Sequence, residues 1–333
     1  MPSNRLKSDG RRPSRATLAW HMSSLTVVGS IAFDAVKTPF GEREKMLGGA
    51  ATHFALAASF FVDEVRPVGP VGDDFGEAEY EVLRARGVAT DDIEHVPGGK
   101  TFFWAGEYGY DLKSRETLAT DLNVFETFEP KLSDASRNAD VLFLANIQPD
   151  LQLQVREQCT NARFVAMDSM NLWIDIARDS LVKVIGTVDA LLLNDAELKQ
   201  LTNKPSLVAA AREVMQMGPK IIVAKQGEYG AAVFTEDGFF ALPAYPLESA
   251  IDPTGAGDSF AGGFIGYLAA HADEIDDAHL RRAMAYGTAV ASYNVEGFGT
   301  ERVARLMAGE ISDRVAELAH ITHFQDAPIE LRA

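Results

Sequence analysis

The chain has 333 residues, with 31 Lys and Arg against 48 Asp and Glu, and a formal net charge of −17. This balance, with no basic stripe in the body of the chain, argues against nucleic acid and anionic membranes as partners. No apolar run reaches the ~18 residues that a membrane-spanning helix needs. The single cysteine, Cys159, excludes an internal disulfide. It fits a reducing compartment, and we predict a cytoplasmic protein.

The two ends of the chain differ in composition from the region between them. Residues 1–22 place five Lys and Arg among Ser, Pro and Gly, without the apolar core of a secretory signal. We predict a disordered extension there, one large domain over 23–325 and a short tail over 326–333.

Strand-like and helix-like patterns alternate along most of the chain. Short apolar runs bounded by turn residues are typical of buried strands, and the longer runs between them of helices. The predicted strands are 25–31, 65–71, 141–145, 164–167, 190–193 and 221–224, followed by a hairpin over 231–242 and helices from 257 to 319. Continuous apolar strands separated by helices predict an α/β fold, with helices on both faces of a largely parallel sheet.

Two segments, about 32–46 and 92–123, do not fit this alternation. They are polar or aromatic-rich and contain several Gly and Pro residues. We predict that they form a small separate β element. Its aromatic side chains either contact a ligand or represent ordinary packing of an aromatic strand; they are Phe102, Phe103, Trp104, Tyr108 and Tyr110.

The most informative stretch, residues 252–260, reads Asp-Pro-Thr-Gly-Ala-Gly-Asp-Ser-Phe. Gly255, Ala256 and Gly257 open a predicted helix, and a helix N-terminus offers free N–H groups to an anion. Asp258 in the same turn would repel that anion unless it takes a proton from a nucleophile beside it. An anion site next to a base is what phosphoryl transfer to a hydroxyl requires. The alternative is an ordinary acid in the first turn of a helix.

This run resembles the carboxy-terminal signature of the ribokinase-like (PfkB) family of carbohydrate and nucleoside kinases. The resemblance extends over about 23–300, in family order. The further matching elements are Gly29 with Asp34, Gly48-Gly49, Gly69-x-x-Gly72-x-Asp74, Asn194-x-x-Glu197 and Gly227-x-x-Gly230. It implies a three-layer α/β/α sandwich with a small β lid formed by the segments at 32–46 and 92–123.

The resemblance also implies an activity. We expect ATP-dependent phosphorylation of a hydroxyl on a sugar or sugar-like molecule, with Asp258 as general base. The backbone N–H groups of Gly255, Ala256 and Gly257 would form the anion hole. A nucleoside kinase is the alternative within the same chemistry, and a non-catalytic sugar- or nucleotide-binding regulator is the alternative outside it.

The family pattern places the substrate near the first half of the chain. The expected substrate-binding residues are Asp34, Gly48, Gly49, His53 and Asn146. A carboxylate such as Asp34 suits vicinal hydroxyls because it accepts two hydrogen bonds; otherwise it is a solvated loop acid. His53 stands where the family often has an asparagine, so it is either a hydrogen-bond donor to the ligand or a core histidine.

The family pattern places ATP and Mg²⁺ near the second half. The expected ATP-binding residues are Asn194, Glu197, Lys225, Gly227, Gly230 and Thr254, with Glu197 organising Mg²⁺ through water. Asn194 and Glu197 also have the spacing of a helix capping box, and both roles are compatible. The two glycines also fit a plain turn between strands.

The resemblance has three further implications. Asp252, with Thr254 and the loop at 295–300, could supply oxygens to a monovalent cation such as K⁺. The lid serves some family members as a dimer interface, so a homodimer through the lid is expected. Asp168 lies where many members carry D-x-N-x-R, but the arginine is absent here.

Overall fold

A computed structural model of the chain describes residues 24–271 and 275–324. The extension predicted at 1–22 and the tail predicted at 326–333 lie outside the described residues. The strands are β1 (Ser24–Val28), β2 (Ala32–Thr38), β3 (Gly41–Gly48), β4 (Glu64–Val71), β5 (Ile93–His95), β6 (Phe102–Tyr108), β7 (Arg115–Asp121), β8 (Val141–Leu144), β9 (Phe164–Asp168), β10 (Ala190–Asn194), β11 (Ile221–Lys225), β12 (Ala231–Thr235) and β13 (Gly238–Leu242). The helices are α1 (Ala50–Ala58), α2 (Glu77–Arg84), α3 (Asp134–Arg137), α4 (Pro149–Gln158), α5 (Asn171–Ile176), α6 (Arg178–Ile185), α7 (Asp195–Thr202), α8 (Leu207–Met215), α9 (Ala256–Ala269), α10 (Asp277–Asn294), α11 (Glu301–Ala304) and α12 (Ala308–Ile321).

A nine-stranded sheet forms the centre of the molecule, in the order β13-β12-β11-β10-β9-β8-β1-β4-β5. Its strands pair in parallel from β5 to β11, and β12 and β13 add an antiparallel edge. Val27 and Val28 on β1 face separate hydrophobic cores, so helices cover both sides of the sheet. The predicted α/β fold with a largely parallel sheet is therefore confirmed.

A second sheet, in the order β3-β2-β6-β7, forms the lid. Strands β2 and β6 pair in parallel, and the two outer strands are antiparallel to their neighbours. Two details differ from the sequence prediction. The opening strand ends at Val28 rather than Ile31, and β5, which we expected in the small element, pairs with β4 in the large sheet. Three residues of β5 are too few for periodicity to distinguish the two locations.

The packing of α9 against α1 places the GAGD turn at the edge of the large sheet. Helix α9 is buried over most of its length, and its small residues let the two helix backbones approach. A β-carbon on Gly262 would lie 2.3 Å from the Phe54 carbonyl oxygen and 2.7 Å from Ala57 Cβ. Phe54 in turn stacks on Phe143 of β8, with ring centroids 4.2 Å apart. This contact chain connects the central sheet, α1 and α9.

Among the described residues, no helix combines the length and the apolar character needed to cross a membrane.

We predict that Gly262→Ala lowers the free energy of unfolding by about 1–3 kcal/mol, because the methyl group overpacks the contact between α1 and α9. The measurement is urea denaturation. Gly309→Ala on α12 is the control, because a β-carbon there meets nothing within 4 Å. An alanine at an open helical position is neutral or stabilising. Equal stability of the Gly262 variant and the control would contradict the close approach of the two helices.

Candidate active site

The site lies at the carboxyl ends of the parallel strands, where ligands of open α/β sheets bind. Several predicted residues end a strand or directly follow one. Asn146 follows β8, Asn194 ends β10 and Lys225 ends β11. Asp168, the last residue of β9, lies at the same edge. Asp34 lies on β2 of the lid, directly after the first strand of the large sheet.

The turn into α9 has the geometry of an anion site. Gly255 is the N-cap of α9 with φ +73°, a left-handed conformation that favours glycine. Ala256 N–H donates to the Pro253 carbonyl at 3.2 Å. The next two N–H groups, those of Gly257 and Asp258, point out of the first helical turn without intrahelical acceptors. The Lys225 ammonium lies beside them, since a β-carbon on Gly257 would be 3.1 Å from Lys225 Nζ.

A fully buried asparagine, Asn294 at the end of α10, connects this turn to α1. Its Nδ2 donates to the Thr254 carbonyl at 2.7 Å. Its Oδ1 accepts from Ser259 Oγ at 3.0 Å and lies 3.1 Å from His53 Nδ1. The His53 ring packs on Gly255, where a β-carbon would lie 2.3 Å from Cε1. Sequence reasoning missed Asn294, because a polar residue at the end of a helix carries no motif.

Asp252, which is fully buried, fixes the loop that precedes the anion site. One carboxylate oxygen accepts from Thr254 N–H at 2.8 Å, and the other accepts from Gly299 N–H at 2.9 Å. The Thr254 hydroxyl lies 3.2 Å from the Tyr108 hydroxyl on β6. Thus Asp252 joins the 252–254 and 297–300 loops, and Thr254 joins them to the lid. The role of Asp252 in holding a monovalent cation stays a prediction.

The Asp34 side chain on β2 lies against Gly48 on the neighbouring strand β3. The carboxylate is 5% exposed, and a β-carbon on Gly48 would lie 1.9 Å from its Oδ2. Burial, followed by the negative charges of Asp252 and Asp258, raises the pKa of Asp34 to about 7, against the opposing hydrogen bond from Gly49 N–H. A pKa near neutrality means that Asp34 can either donate or accept a hydrogen bond to a sugar hydroxyl.

Two carboxylates, Asp168 and Glu197, interact with the Lys225 ammonium on the nucleotide side. Burial raises the pKa of Asp168 well above its usual range, and the charge of Lys225 opposes that rise. Burial also raises the pKa of Glu197, again opposed by Lys225. The charge of Asp258 contributes to the raised pKa of Asp168. Asp168 Oδ1 is buried and has no hydrogen-bond partner within the described part of the chain.

The Asn194 and Glu197 pair forms a complete capping box at the start of α7. Glu197 N–H donates to Asn194 Oδ1, and Asn194 N–H donates to Glu197 Oε2, each at 2.8 Å. The structural role predicted for the pair is therefore present. The Glu197 carboxylate also accepts a hydrogen bond from the backbone N–H of Asn171.

Two predicted ligand-binding elements are engaged in local contacts. Asn146 Oδ1 accepts from Trp173 Nε1 at 3.0 Å, and Asn146 Nδ2 lies 3.2 Å from Met170 Sδ. Gly227 and Gly230 enclose a short 3₁₀ turn between β11 and β12, with positive φ at both residues. The turn is exposed, as expected for a surface that contacts a nucleotide or for a plain turn.

The lid contributes two basic residues that sequence reasoning did not place in the site. Lys113 pairs with Glu228 and lies 4.5 Å from the Tyr229 ring centroid, so the lid tip contacts the 227–230 turn. Arg115 lies over Trp104, 5.4 Å from the ring centroid, and hydrogen-bonds Tyr108. Its charge opposes the rise in the pKa of Glu197. The sequence alone shows that Arg115 is a basic residue in an extended segment, but it does not show what the side chain contacts.

A family model for pfkB family carbohydrate kinases matches residues 22–305. This chain belongs to that family. The cytidine kinase of Thermococcus kodakarensis is 30% identical over 252 residues, covering 73% of this chain and 88% of that protein. The ATP-dependent ribose-1-phosphate kinase of Halopiger xanaduensis is 26% identical over 273 residues, covering 80% of this chain and 87% of that protein.

Solved structures show the same fold as this pfkB family chain. The nucleoside kinase of Methanocaldococcus jannaschii superposes with a TM-score of 0.73 at 20% identity, covering 89% of this chain and 99% of that one. The ribokinase-like architecture predicted from the motifs is therefore confirmed, as is the kinase family.

We predict that Asp34→Asn stabilises this pfkB family protein at alkaline pH. Because folding raises the pKa of Asp34 from 3.8 to about 7, the folded state loses stability as the pH rises through this interval. Asparagine does not ionise, so the variant does not lose this stability. The gain in the free energy of unfolding is up to about 4 kcal/mol at pH 8 and shrinks toward pH 4.

Urea denaturation at pH 5, 6, 7 and 8 measures this gain. Asp63→Asn is the matched control, because Asp63 is exposed. A stability difference that does not vary with pH would show that Asp34 is not the titrating group.

Proposed function

We propose that this protein is an ATP-dependent phosphotransferase that phosphorylates a hydroxyl of a sugar or sugar-like molecule. The observation that carries the proposal is the position of Asp258 in the first turn of α9. Its charge contributes to the raised pKa of Asp34 and of Asp168, and it opposes the fall in the pKa of His53. A base between a sugar-type site and a phosphate-type site is the arrangement that direct transfer requires.

Each of these groups has a separate role in the proposed reaction. Asp34 and the Gly48-Gly49 backbone orient the acceptor, and Asp258 takes the proton of the attacking hydroxyl. The free N–H groups of Gly257 and Asp258 and the Lys225 ammonium stabilise the negative charge of the migrating phosphoryl group. The Ala256 N–H, which we expected in the anion hole, instead donates to the Pro253 carbonyl. The lid, held to the loop by Tyr108 and Thr254, excludes water and suppresses hydrolysis of ATP.

The residues near Glu197 fit Mg²⁺ held mainly by the nucleotide. Among the described residues, no three His, Cys, Asp or Glu side chains are arranged to hold a metal ion. Mg²⁺ usually keeps several waters and takes one or two carboxylates beside substrate phosphates. Glu197 would hold such a water, and Asp168 Oδ1 is a second buried oxygen. When bound, Mg²⁺ neutralises charge on the triphosphate.

A nucleoside is the second candidate acceptor, and the similarity to a cytidine kinase supports it. The alignment with this chain covers 88% of the cytidine kinase noted above. Assays of ADP release with ribose, fructose, adenosine and cytidine separate the two candidates. Turnover only with free sugars would remove the nucleoside candidate.

Three finer features belong to the same proposal. Asp252, whose buried oxygens bridge two loops, would lie next to a bound K⁺. Phe40, Tyr110 and Leu118 are exposed on the lid, and a homodimer would form through this apolar surface. We also retain the cytoplasmic location expected from the sequence.

We predict that Asp258→Asn lowers kcat by about 10²–10⁴-fold, because the general base is lost. Affinity for ATP, measured by calorimetry, should remain within about threefold, since asparagine keeps the shape of the turn. Asp150→Asn, an exposed acid in the first turn of α4, is the control. Turnover at the wild-type level in Asp258→Asn would remove Asp258 from the mechanism. A wild-type protein that binds ATP and acceptor without any turnover would instead indicate a regulator.

We predict that Arg115→Gln lowers kcat by about 10–100-fold, because one cation facing the phosphate site is lost. Arg43→Gln is the control. Arg43 is an exposed lid residue whose Nε lies 3.3 Å from Glu301 Oε1, away from Glu197. Equal activities of the two variants would mean that Arg115 only packs on Trp104.

A further inference from the structure

An arginine on α12 contacts three residues around the end of α10. The side chain of Arg314 is 11% exposed. Its Nη1 donates to Ser292 Oγ at 2.9 Å, and its Nη2 donates to Glu296 Oε1 at 2.8 Å. The guanidinium carbon lies 3.4 Å from the centroid of the Tyr293 ring. A single guanidinium thus makes two hydrogen bonds and a cation–π contact with the same turn.

Glu310 and Arg302 add further contacts to this turn. The Glu310 carbonyl accepts from the Tyr293 hydroxyl at 2.9 Å, and the Glu310 carboxylate accepts from Arg302 Nη2 at 2.6 Å. Arg302 Nε in turn lies 3.4 Å from Glu296 Oε2. The Glu296 carboxylate is therefore held by an arginine on each oxygen. A partly buried network of this kind restrains the chain more than an isolated surface ion pair does.

The Asn294 side chain leaves the same turn in another direction. At 3.6 residues per turn, Asn294 points about 150° away from the mean direction of Ser292 and Tyr293. Its amide reaches the Thr254 carbonyl and Ser259 Oγ in the candidate site. The last turn of α10 therefore carries contacts with α12 on one side and Asn294 on the other.

The chain that follows this turn joins the loop before the anion site. The Val295 carbonyl accepts from Ile251 N–H at 2.7 Å. Gly299 N–H donates to the buried carboxylate of Asp252 at 2.9 Å. Glu296 lies between these two contacts in the sequence. Its ion pairs therefore restrain the chain between two points that bond directly to the 251–254 segment.

We propose that Arg314 is a positioning residue for phosphoryl transfer. From α12 it fixes the last turn of α10, and this turn sets the position of Asn294 against the loop that leads into α9. Arg314 acts through Asn294 and Glu296 rather than on the substrate. Helix α12 follows the residues 22–305 that match the family model. The kinetic effect rests on the proposed kinase function, whereas the restraint on the loop does not.

The kinetics of Arg314→Met test this role. Methionine keeps an apolar chain but removes the charge and both hydrogen bonds. We expect kcat to fall by about 10–100-fold, because small displacements of catalytic groups are costly. KM for ATP should stay within about threefold, since most of the expected ATP-binding residues belong to other elements.

Arg281→Met is the matched control for this variant. Arg281 also combines an ion pair with a ring contact, because its Nε lies 2.6 Å from Asp277 Oδ2 and its guanidinium carbon lies 4.7 Å from the Phe240 ring centroid. It lies near the other end of α10. We expect the control to keep the wild-type kcat. Equal activities of Arg281→Met and Arg314→Met would overturn the proposal.

Two further variants separate the restraint from a general effect on folding. Arg314→Lys keeps the charge but lacks the planar fork that reaches both Ser292 and Glu296. We expect its kcat to lie between those of the wild type and Arg314→Met, and it replaces Arg314→Met in every measurement if that variant does not fold. In the double variant Glu296→Gln with Arg314→Met, kcat should fall less than the product of the two single effects. Independent effects would contradict an action of Arg314 through Glu296.

Backbone hydrogen exchange, followed by NMR, tests the restraint without any turnover. In Arg314→Met, we expect the N–H groups of Ile251 and Gly299 to exchange about tenfold faster or more, because local opening of the loop becomes easier. Glu197 N–H, which bonds to Asn194 Oδ1 on the nucleotide side, should keep its wild-type rate. Unchanged rates at Ile251 and Gly299, or an equal increase at Glu197, would overturn the proposal.

The two measurements distinguish failure of this proposal from failure of the proposed function. If the wild type turns over none of ribose, fructose, adenosine and cytidine, the proposed acceptor class fails. The exchange rates then still decide whether Arg314 fixes the loop. If the wild type is active and Arg314→Met keeps its kcat, the kinase function stands and Arg314 is not a positioning residue.

Discussion

The side chain of Asn294 is the interaction on which the site depends. It lies at the end of α10, yet its amide joins the loop before the anion site, the first turn of α9 and the first turn of α1. Each bond has a fixed direction, because the Thr254 carbonyl determines which amide atom faces which segment. The first turn of α9, which carries the proposed base Asp258, is thus held in a fixed position relative to the loop at 252–254 and to the buried His53. Preorganisation of this kind is what lets fixed dipoles stabilise a charged transition state.

The site carries more negative than positive side chains, although the reaction moves a negatively charged group. Five carboxylates, Asp34, Asp168, Glu197, Asp252 and Asp258, lie around a reaction that moves a highly negative group. Lys225 and Arg115 are too few to balance them. Burial raises the pKa values of Asp34, Asp168 and Glu197, and the charges of neighbouring carboxylates add to the rise for Asp34 and Asp168. Backbone dipoles and the cation that accompanies ATP must supply the remaining compensation, which explains how an acidic protein can bind a triphosphate.

The large sheet and the anion turn could be predicted from the sequence because their signals are local. Continuous apolar strands indicate parallel pairing, and the GAGD run combines a helix start with an unusual acid. The small strand β5 was placed in the wrong sheet, since three residues show no period. Asn294 and Arg115 were missed for a different reason. Asn294 contacts Thr254, which lies 40 residues away in the sequence, and Arg115 influences Glu197, which lies in a distant segment. A short sequence pattern carries no information on such contacts.

The protonation of Asp34 has a consequence for the thermodynamics of ligand binding. With a pKa of about 7, this carboxyl group is a mixture of two forms in neutral solution. A bound polyol that donates to it favours the ionised form, so a fraction of a proton is released to the buffer. The heat of association then includes the ionisation heat of the buffer, and the affinity follows the acidity of the medium. A buried acid that helps to orient a sugar would thereby make substrate capture responsive to small pH changes.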